Sequence, residues 1–210
     1  MPNAKSLVIN GNTANYSITS SSITVKNFLP VIETLIITNT RFTNSVLDFR
    51  GCNRLETINL SGCTGIVDII FPENNKLKEV YLPVGLKKLT LGKNPNLSKF
   101  VFAEGTKLTK LSLDCSSINE NFDYIDLLSD KINYSDLEQF IITNTPENGL
   151  IITENIALKL ANVVLSDADS LIQGKFIITD RTSTMDENNN ITYAWGELTD
   201  ISYNTKKYLV

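Results

Sequence analysis

The chain of 210 residues contains no histidine. That removes the commonest general base and the usual partner of a serine or cysteine nucleophile, leaving an enzyme only carboxylate, lysine and tyrosine chemistry. Cysteine is scarce too: the count is 3, an odd number that cannot close a disulfide framework. No C-x-x-C pair accompanies these thiols to hold zinc. Neither G-x-x-x-x-G-K-[ST] nor G-x-G-x-x-G occurs, and Gly85 through Lys93 has the right letters at the wrong spacing. No apolar run approaches the roughly 18 residues of a membrane-spanning helix. Met1 to Lys5 lack the apolar stretch of a secretory signal, so the expectation is a chain not marked for export. Positive charge is also short, with 19 Lys and Arg against 23 Asp and Glu. The net charge of −4 and pI near 5.0 argue against nucleic acid or an anionic membrane as partner. Lys87-Lys88 and Lys206-Lys207 read as solvated surface pairs.

What the chain does have is a repeat. Six segments share one apolar pattern: Leu55-x-x-Ile58-x-Leu60, Ile66-x-x-Ile69-x-Phe71, Leu77-x-x-Val80-x-Leu82, Leu86-x-x-Leu89-x-Leu91, Leu97-x-x-Phe100-x-Phe102 and Leu108-x-x-Leu111-x-Leu113. Asn44-x-x-Leu47-x-Phe49 is a degenerate first copy, and the seven starts are separated by 11, 11, 11, 9, 11 and 11 residues. Self-similarity at a fixed spacing marks stacked units, each burying its apolar side against its neighbours.

Within each unit the last two apolar positions flank a single residue, the alternation of a short strand with one buried face. Three residues further on stands a turn residue: Cys52, Cys63, Asn74, Asn94, Gly105 or Ser116. A small polar side chain there can point inward and bond backbone groups freed by the turn. Two strands make one coil of about 22 residues, so alternate strands should stack into two facing parallel sheets. Strands centred on 58, 80 and 100 belong to one sheet, those on 47, 69, 89 and 111 to the other. Cys52 and Cys63, half a coil apart, fall on opposite edges and remain free thiols. Cys115 precedes its turn position by one residue and is expected to be the more reactive.

Leu86 to Asn94 resembles the leucine-rich-repeat consensus L-x-x-L-x-L-x-x-N/C at every named position. Leu77 to Leu86, with Pro83, is similar to the L-x-x-I-x-I-P-x-x-V stretch of BspA-type leucine-rich repeats, whose tighter turn accounts for the spacing of 9. The resemblance covers residues 32–118, extends in degraded form over 4–31 through Leu7/Ile9 and Ile23/Val25, and lacks the G-x-x-A-F-x-x-C half of the family repeat.

The rhythm breaks after Ser116. Ser117-x-x-Glu120 is a capping box, and Phe122, Ile125 and Leu128 follow at helical spacing, which predicts a helix over 119–131. Leu137-x-x-Phe140-x-Ile142 returns to the repeat. Thr153 and Glu154 open a second predicted helix through Ile156, Leu160 and Val163. Phe176–Thr179 and Ile191–Trp195 read as a hairpin, while 198–210 is ambiguous, a helix through Ile201 and Tyr208 being one reading. The reading is a β-rich, leucine-rich-repeat-like solenoid of two stacked parallel sheets over 1–118, with a C-terminal α/β extension or cap over 119–210. Leu209 and Val210 are expected to be buried against another chain or domain.

Candidate sites are few. Asp186, Asn188, Asn190 and Glu197 match positions 1, 3, 5 and 12 of a calcium loop. Ile191 replaces the glycine of its sharp turn, so a polar hairpin tip with no metal is expected. Asp167 and Asp169 read as a solvated turn, and Trp195 as hairpin core. The residues between paired apolar positions face solvent. These are Ile36, Asn59, Tyr81 and Val101 on one sheet and Asp48, Ile70, Thr90 and Ser112 on the other. The first row is the more apolar and carries an aromatic, as contact surfaces do; strand propensity favours the same residue types. The resemblance implies a non-enzymatic module that binds a protein or self-assembles, without a cofactor or small-molecule ligand. Eroded repeats, the missing export signal and an Asn- and Ile-rich composition lean towards a structural or attachment component of a phage virion. A BspA-type bacterial cell-surface adhesin is the alternative. A carboxylate-based hydrolase on a repeat scaffold is the reading from another class.

Overall fold

Ile58, Leu60, Ile69, Phe71, Val80 and Leu82 are all at most 2% exposed, whereas Asn59, Ile70 and Tyr81 between them reach solvent. That alternation makes each repeat a strand with one buried face. In a computed structural model, residues 3–11, 17–115, 132–144, 150–153, 171–185 and 191–204 are described. They form a β-rich, parallel-sheet solenoid of about 4 turns. Helix among them is limited to short 3-10 turns such as Val25–Asn27 and Tyr134–Asp136.

The first sheet has five strands in the order Ser6–Asn10, Thr34–Thr38, Thr57–Asn59, Glu79–Tyr81, Lys99–Val101. The second begins with Ser17–Ile18 and Ser22–Thr24, both against Arg41–Asp48. It continues through Thr64–Phe71, Lys88–Leu91, Lys110–Asp114, Gln139–Thr143 and Leu171–Met185. Up to Gln139–Thr143 every pairing in both sheets is parallel, because each coil returns to the same sheet in the same direction. The strands centred on 58, 80 and 100, and those on 47, 69, 89 and 111, segregate into separate sheets as the repeat spacing predicts.

Register measures the coils directly. Ile58 pairs with Val80, 22 residues on, and Val80 with Phe100, 20 on. In the other sheet Leu47 to Ile69 is 22, Ile69 to Leu89 is 20 and Leu89 to Leu111 is 22. The spacing of 9 therefore shortens one coil in both sheets alike. Its tight turn is Pro83-Val84-Gly85, where Val84 donates to the Cys63 carbonyl at 2.9 Å and Gly85 takes φ +78°.

One continuous core runs between the sheets. Phe49 stacks on Phe71 with ring centres 5.2 Å apart, and Phe71 meets Phe100 edge-on at 6.2 Å, tying coils and sheets together. Burial of one such ring is worth roughly 2–3 kcal/mol. The turns are bound from within. Asn74 donates from Nδ2 to the Leu55 carbonyl at 2.9 Å, and its Oδ1 accepts the Lys76 N–H at 2.8 Å. Asn94 donates to the Pro72 carbonyl at 3.0 Å and Cys63 to that of Ile37 at 3.0 Å. At the sixth turn the inward position belongs to Thr106, 1% exposed, while Gly105 lies outside at φ +70°. Ser116 lies outside the described residues.

The degenerate first repeat departs for a local reason. Asn44 adopts φ +48° at an irregularity in the pairing of Arg41–Asp48, and Ser45 takes the interior place that Ile66 holds one coil later. Ser45 is fully buried, with its hydroxyl on the Ser20 carbonyl.

Beyond Thr143 the second sheet runs on through Ile141 and Ile142 to Leu171 and Ile172. Leu171–Met185 and Ile191–Asn204 form a long antiparallel hairpin, and Leu150–Thr153 lies parallel to its first arm. Residues 198–204, ambiguous in sequence, are strand: Phe176 pairs with Ile201 and Gly174 with Tyr203. Thr153, expected at a helix start, ends a strand. The predicted helices over 119–131 and from Glu154 to Val163 lie outside the described residues, as do Asp167, Asp169, Leu209 and Val210.

Candidate contact surface

Parallel pairing without slippage turns one strand position into a straight row. In the first sheet Val8, Ile36, Asn59, Tyr81 and Val101 are successive register partners. The four sequence-predicted positions thus stand side by side, each partly exposed, and Val8 extends the row at 63% exposure. Val8 was legible in principle, since it sits between Leu7 and Ile9 as Tyr81 sits between Val80 and Leu82. The Leu-x-x-Leu start is missing there, which leaves that strand a degraded copy of the repeat.

Side chains next to the row engage some of its members. Lys99 places its ammonium 5.0 Å from the Tyr81 ring centre. The Tyr81 hydroxyl oxygen accepts from this ammonium, which raises the Lys99 pKa above its usual value. A cation over an aromatic face stiffens both side chains. Asn59 accepts the Ser61 N–H at 3.0 Å, so its carbonyl serves the local turn. Ile36 and Val101 carry no polar group. The row is an apolar strip interrupted by one amide and one tyrosine.

The opposite row runs through Asp48, Ile70, Thr90 and Ser112 and continues to Ile141. Asp48, expected to face solvent, is only 7% exposed. Arg50 folds over it with Nε 2.8 Å from Oδ2, and this pairing holds the Asp48 carboxyl below its usual pKa. Asp68 is shifted the other way: burial raises its pKa, against the opposing pull of Lys88 and Lys110.

Beside the first sheet, Glu33, Arg54, Glu56 and Lys76 line a shallow groove of about 220 Å³. Both carboxylates are ion-paired, Glu33 with Lys5 at 3.0 Å and Glu56 with Lys78 at 2.7 Å. Lys78 holds Glu56 below its usual pKa.

Cys52 and Cys63 follow strands of opposite sheets and are free and buried. Cys115, expected to be the more reactive thiol, is 1% exposed, and burial pushes its pKa up to about 12. Cys52 is pushed up to about 11 by burial, with a smaller contribution from Asp48. A thiolate is the reactive form, so all three positions suppress it. Asp186, Asn188 and Asn190 lie outside the described residues. Glu197 falls where the hairpin register slips, between the pairs Thr179–Leu198 and Arg181–Trp195. Among the described residues, no three of Asp, Glu and Cys come together as a metal site, and no helix is long and apolar enough to cross a membrane.

No family model, curated protein or solved structure matches this chain.

Proposed function

We propose that the chain is a non-enzymatic, leucine-rich-repeat-like binding module that meets a protein partner through the row Ile36, Asn59, Tyr81 and Val101. The observation that carries this reading is the unbroken register of the first sheet, which lines these side chains up on one strip. A rigid, partly apolar strip with a held aromatic is the composition of a contact surface, where aromatics anchor and charge is depleted. A structural or attachment role in a phage virion fits the eroded repeats, and a bacterial surface adhesin remains the second reading on the BspA-type resemblance.

Affinity capture from the source particle or cell tests the strip. The wild-type chain should retain a defined protein that Tyr81→Ala and Val101→Asp lose, while Thr90→Ala on the opposite sheet keeps it. Equal capture by all four chains would refute the assignment. Identification of the captured protein as a virion or a surface component separates the two settings.

A further inference from the structure

The strand Ser6–Asn10 ends the first sheet, and among the described residues nothing pairs with its outer side. Which groups face outward follows from those facing inward. The Lys5 carbonyl accepts from Thr34, and Gly11 donates to Thr38, so odd-numbered residues bond the neighbouring strand. Ser6, Val8 and Asn10 therefore present their N–H and C=O to the free edge. Proteins usually guard such an edge with a lysine, a proline or a bulge. Ser6-Leu7-Val8-Ile9-Asn10 has none of these, and the flanking Lys5 is engaged by Glu33 at 3.0 Å.

Among the described residues the core is open at the same end. A hollow of about 190 Å³ there is lined only by apolar side chains, Leu7, Ile9, Ile18, Phe28 and Phe42 among them. Phe28 is 64% and Ile9 38% exposed. A stack of coils with an uncapped end is poorly soluble unless something covers it.

We propose that this edge pairs with the same strand of a second copy, antiparallel and centred on Val8, joining two solenoids end to end. The pattern of the strand is its own complement under that operation. Ser6 falls opposite the partner's Asn10, Val8 opposite the partner's Val8, and Leu7 opposite the partner's Ile9. Polar meets polar on the outer face, and the two apolar pairs close over the hollows of both copies. Ser6, Val8 and Asn10 on each side supply about six backbone hydrogen bonds. The twofold axis is perpendicular to the sheet, so the inner faces stay on the same side and the two cores become continuous. A single isologous contact of this kind closes as a dimer.

Light scattering on the eluting full chain tests it. At tens of micromolar the wild type should run at twice the 23.4 kDa chain mass. Val8→Lys, which sets two ammonium groups against each other across the axis, should run at the single-chain mass with unchanged circular dichroism. Facing Val8 positions would have Cα atoms about 5.5 Å apart, within disulfide reach. Oxidised Val8→Cys should therefore give a covalent dimer, and Ser6→Cys, whose opposite residue is Asn10, should not. A wild-type monomer overturns the proposal and would leave the edge to a strand from another protein. A dimer that survives Val8→Lys, or cross-links equally through both cysteines, overturns it as well.

Discussion

Asn74 does for its turn what no apolar side chain could. Its amide satisfies the Leu55 carbonyl at 2.9 Å and the Lys76 N–H at 2.8 Å, and reaches the Cys52 carbonyl at 3.4 Å. All of this happens at a position 7% exposed, where water is not a ready substitute. Removing one partner from a buried polar group costs about 1–3 kcal/mol, more than the net worth of the bond itself. Asn74→Ala should therefore lower unfolding free energy by about that amount in denaturant titration. The adjacent Asn75→Ala, on an exposed side chain, should stay within about 0.5 kcal/mol. Equal effects at the two positions would mean that the turn is held by its backbone alone. At the turn half a coil earlier the buried Cys63 thiol donates to the Ile37 carbonyl at 3.0 Å, so a thiol as well as an amide can fill the inward position.

Strands and turns add a constraint no side chain expresses. Gly65 has φ +76° in the strand Thr64–Phe71, and a Cβ there would run into the Phe42 carbonyl oxygen of the neighbouring strand. Gly85 has nearly the same angle, φ +78°, but a Cβ would meet nothing within 4 Å. The pair separates backbone strain from steric collision. Gly85→Ala should cost about 1–2 kcal/mol, the left-handed penalty alone. Gly65→Ala should cost clearly more, because parallel pairing at Thr64 has to shift to make room. Thermal melts of the two variants provide the comparison, and matching losses would dismiss the collision. The strand positions were legible in sequence because a buried pair around one residue repeats at 11, and Ile58, Val80 and Phe100 needed nothing else. Legibility failed where a partner lies off that period. Arg50 buries Asp48 from two residues away, and Thr106 replaces Gly105 because only threonine has a hydroxyl to give the Ala103 carbonyl. Residues 198–204 share apolar spacing with a helix, yet pairing to 173–179 decides their state. The row Ile36, Asn59, Tyr81 and Val101 was readable as positions; the side chains that cover parts of it were not.

The whole molecule behaves as a line of nearest neighbours. Apolar side chains of one described coil pack on the next, as Phe49 does on Phe71, so stability is a sum of local and interface contributions, and an end coil has only one interface within the chain. Exposure already shows the gradient. In Ser6–Asn10 only Leu7 is partly buried, whereas Ile58, Ile69, Val80 and Leu89 are fully buried. In the single-chain Val8→Lys variant, whose end coil is left uncovered, hydrogen exchange should follow it, with slowest amides in Thr57–Asn59, Thr64–Phe71 and Glu79–Tyr81 and faster ones in Ser6–Asn10. Phe71 is the sharpest probe of this linear coupling, since it is stacked on Phe49 and edge-on to Phe100. Phe71→Ala should cost about 3–5 kcal/mol. The accompanying rise in exchange should spread to the strands on both sides, Arg41–Asp48 and Lys88–Leu91, because each loses the neighbour that held it. A rise confined to Thr64–Phe71 would show coils that hold independently of one another. A uniform rise reaching Gln139–Thr143 at full amplitude would show a single cooperative unit instead of a linear stack.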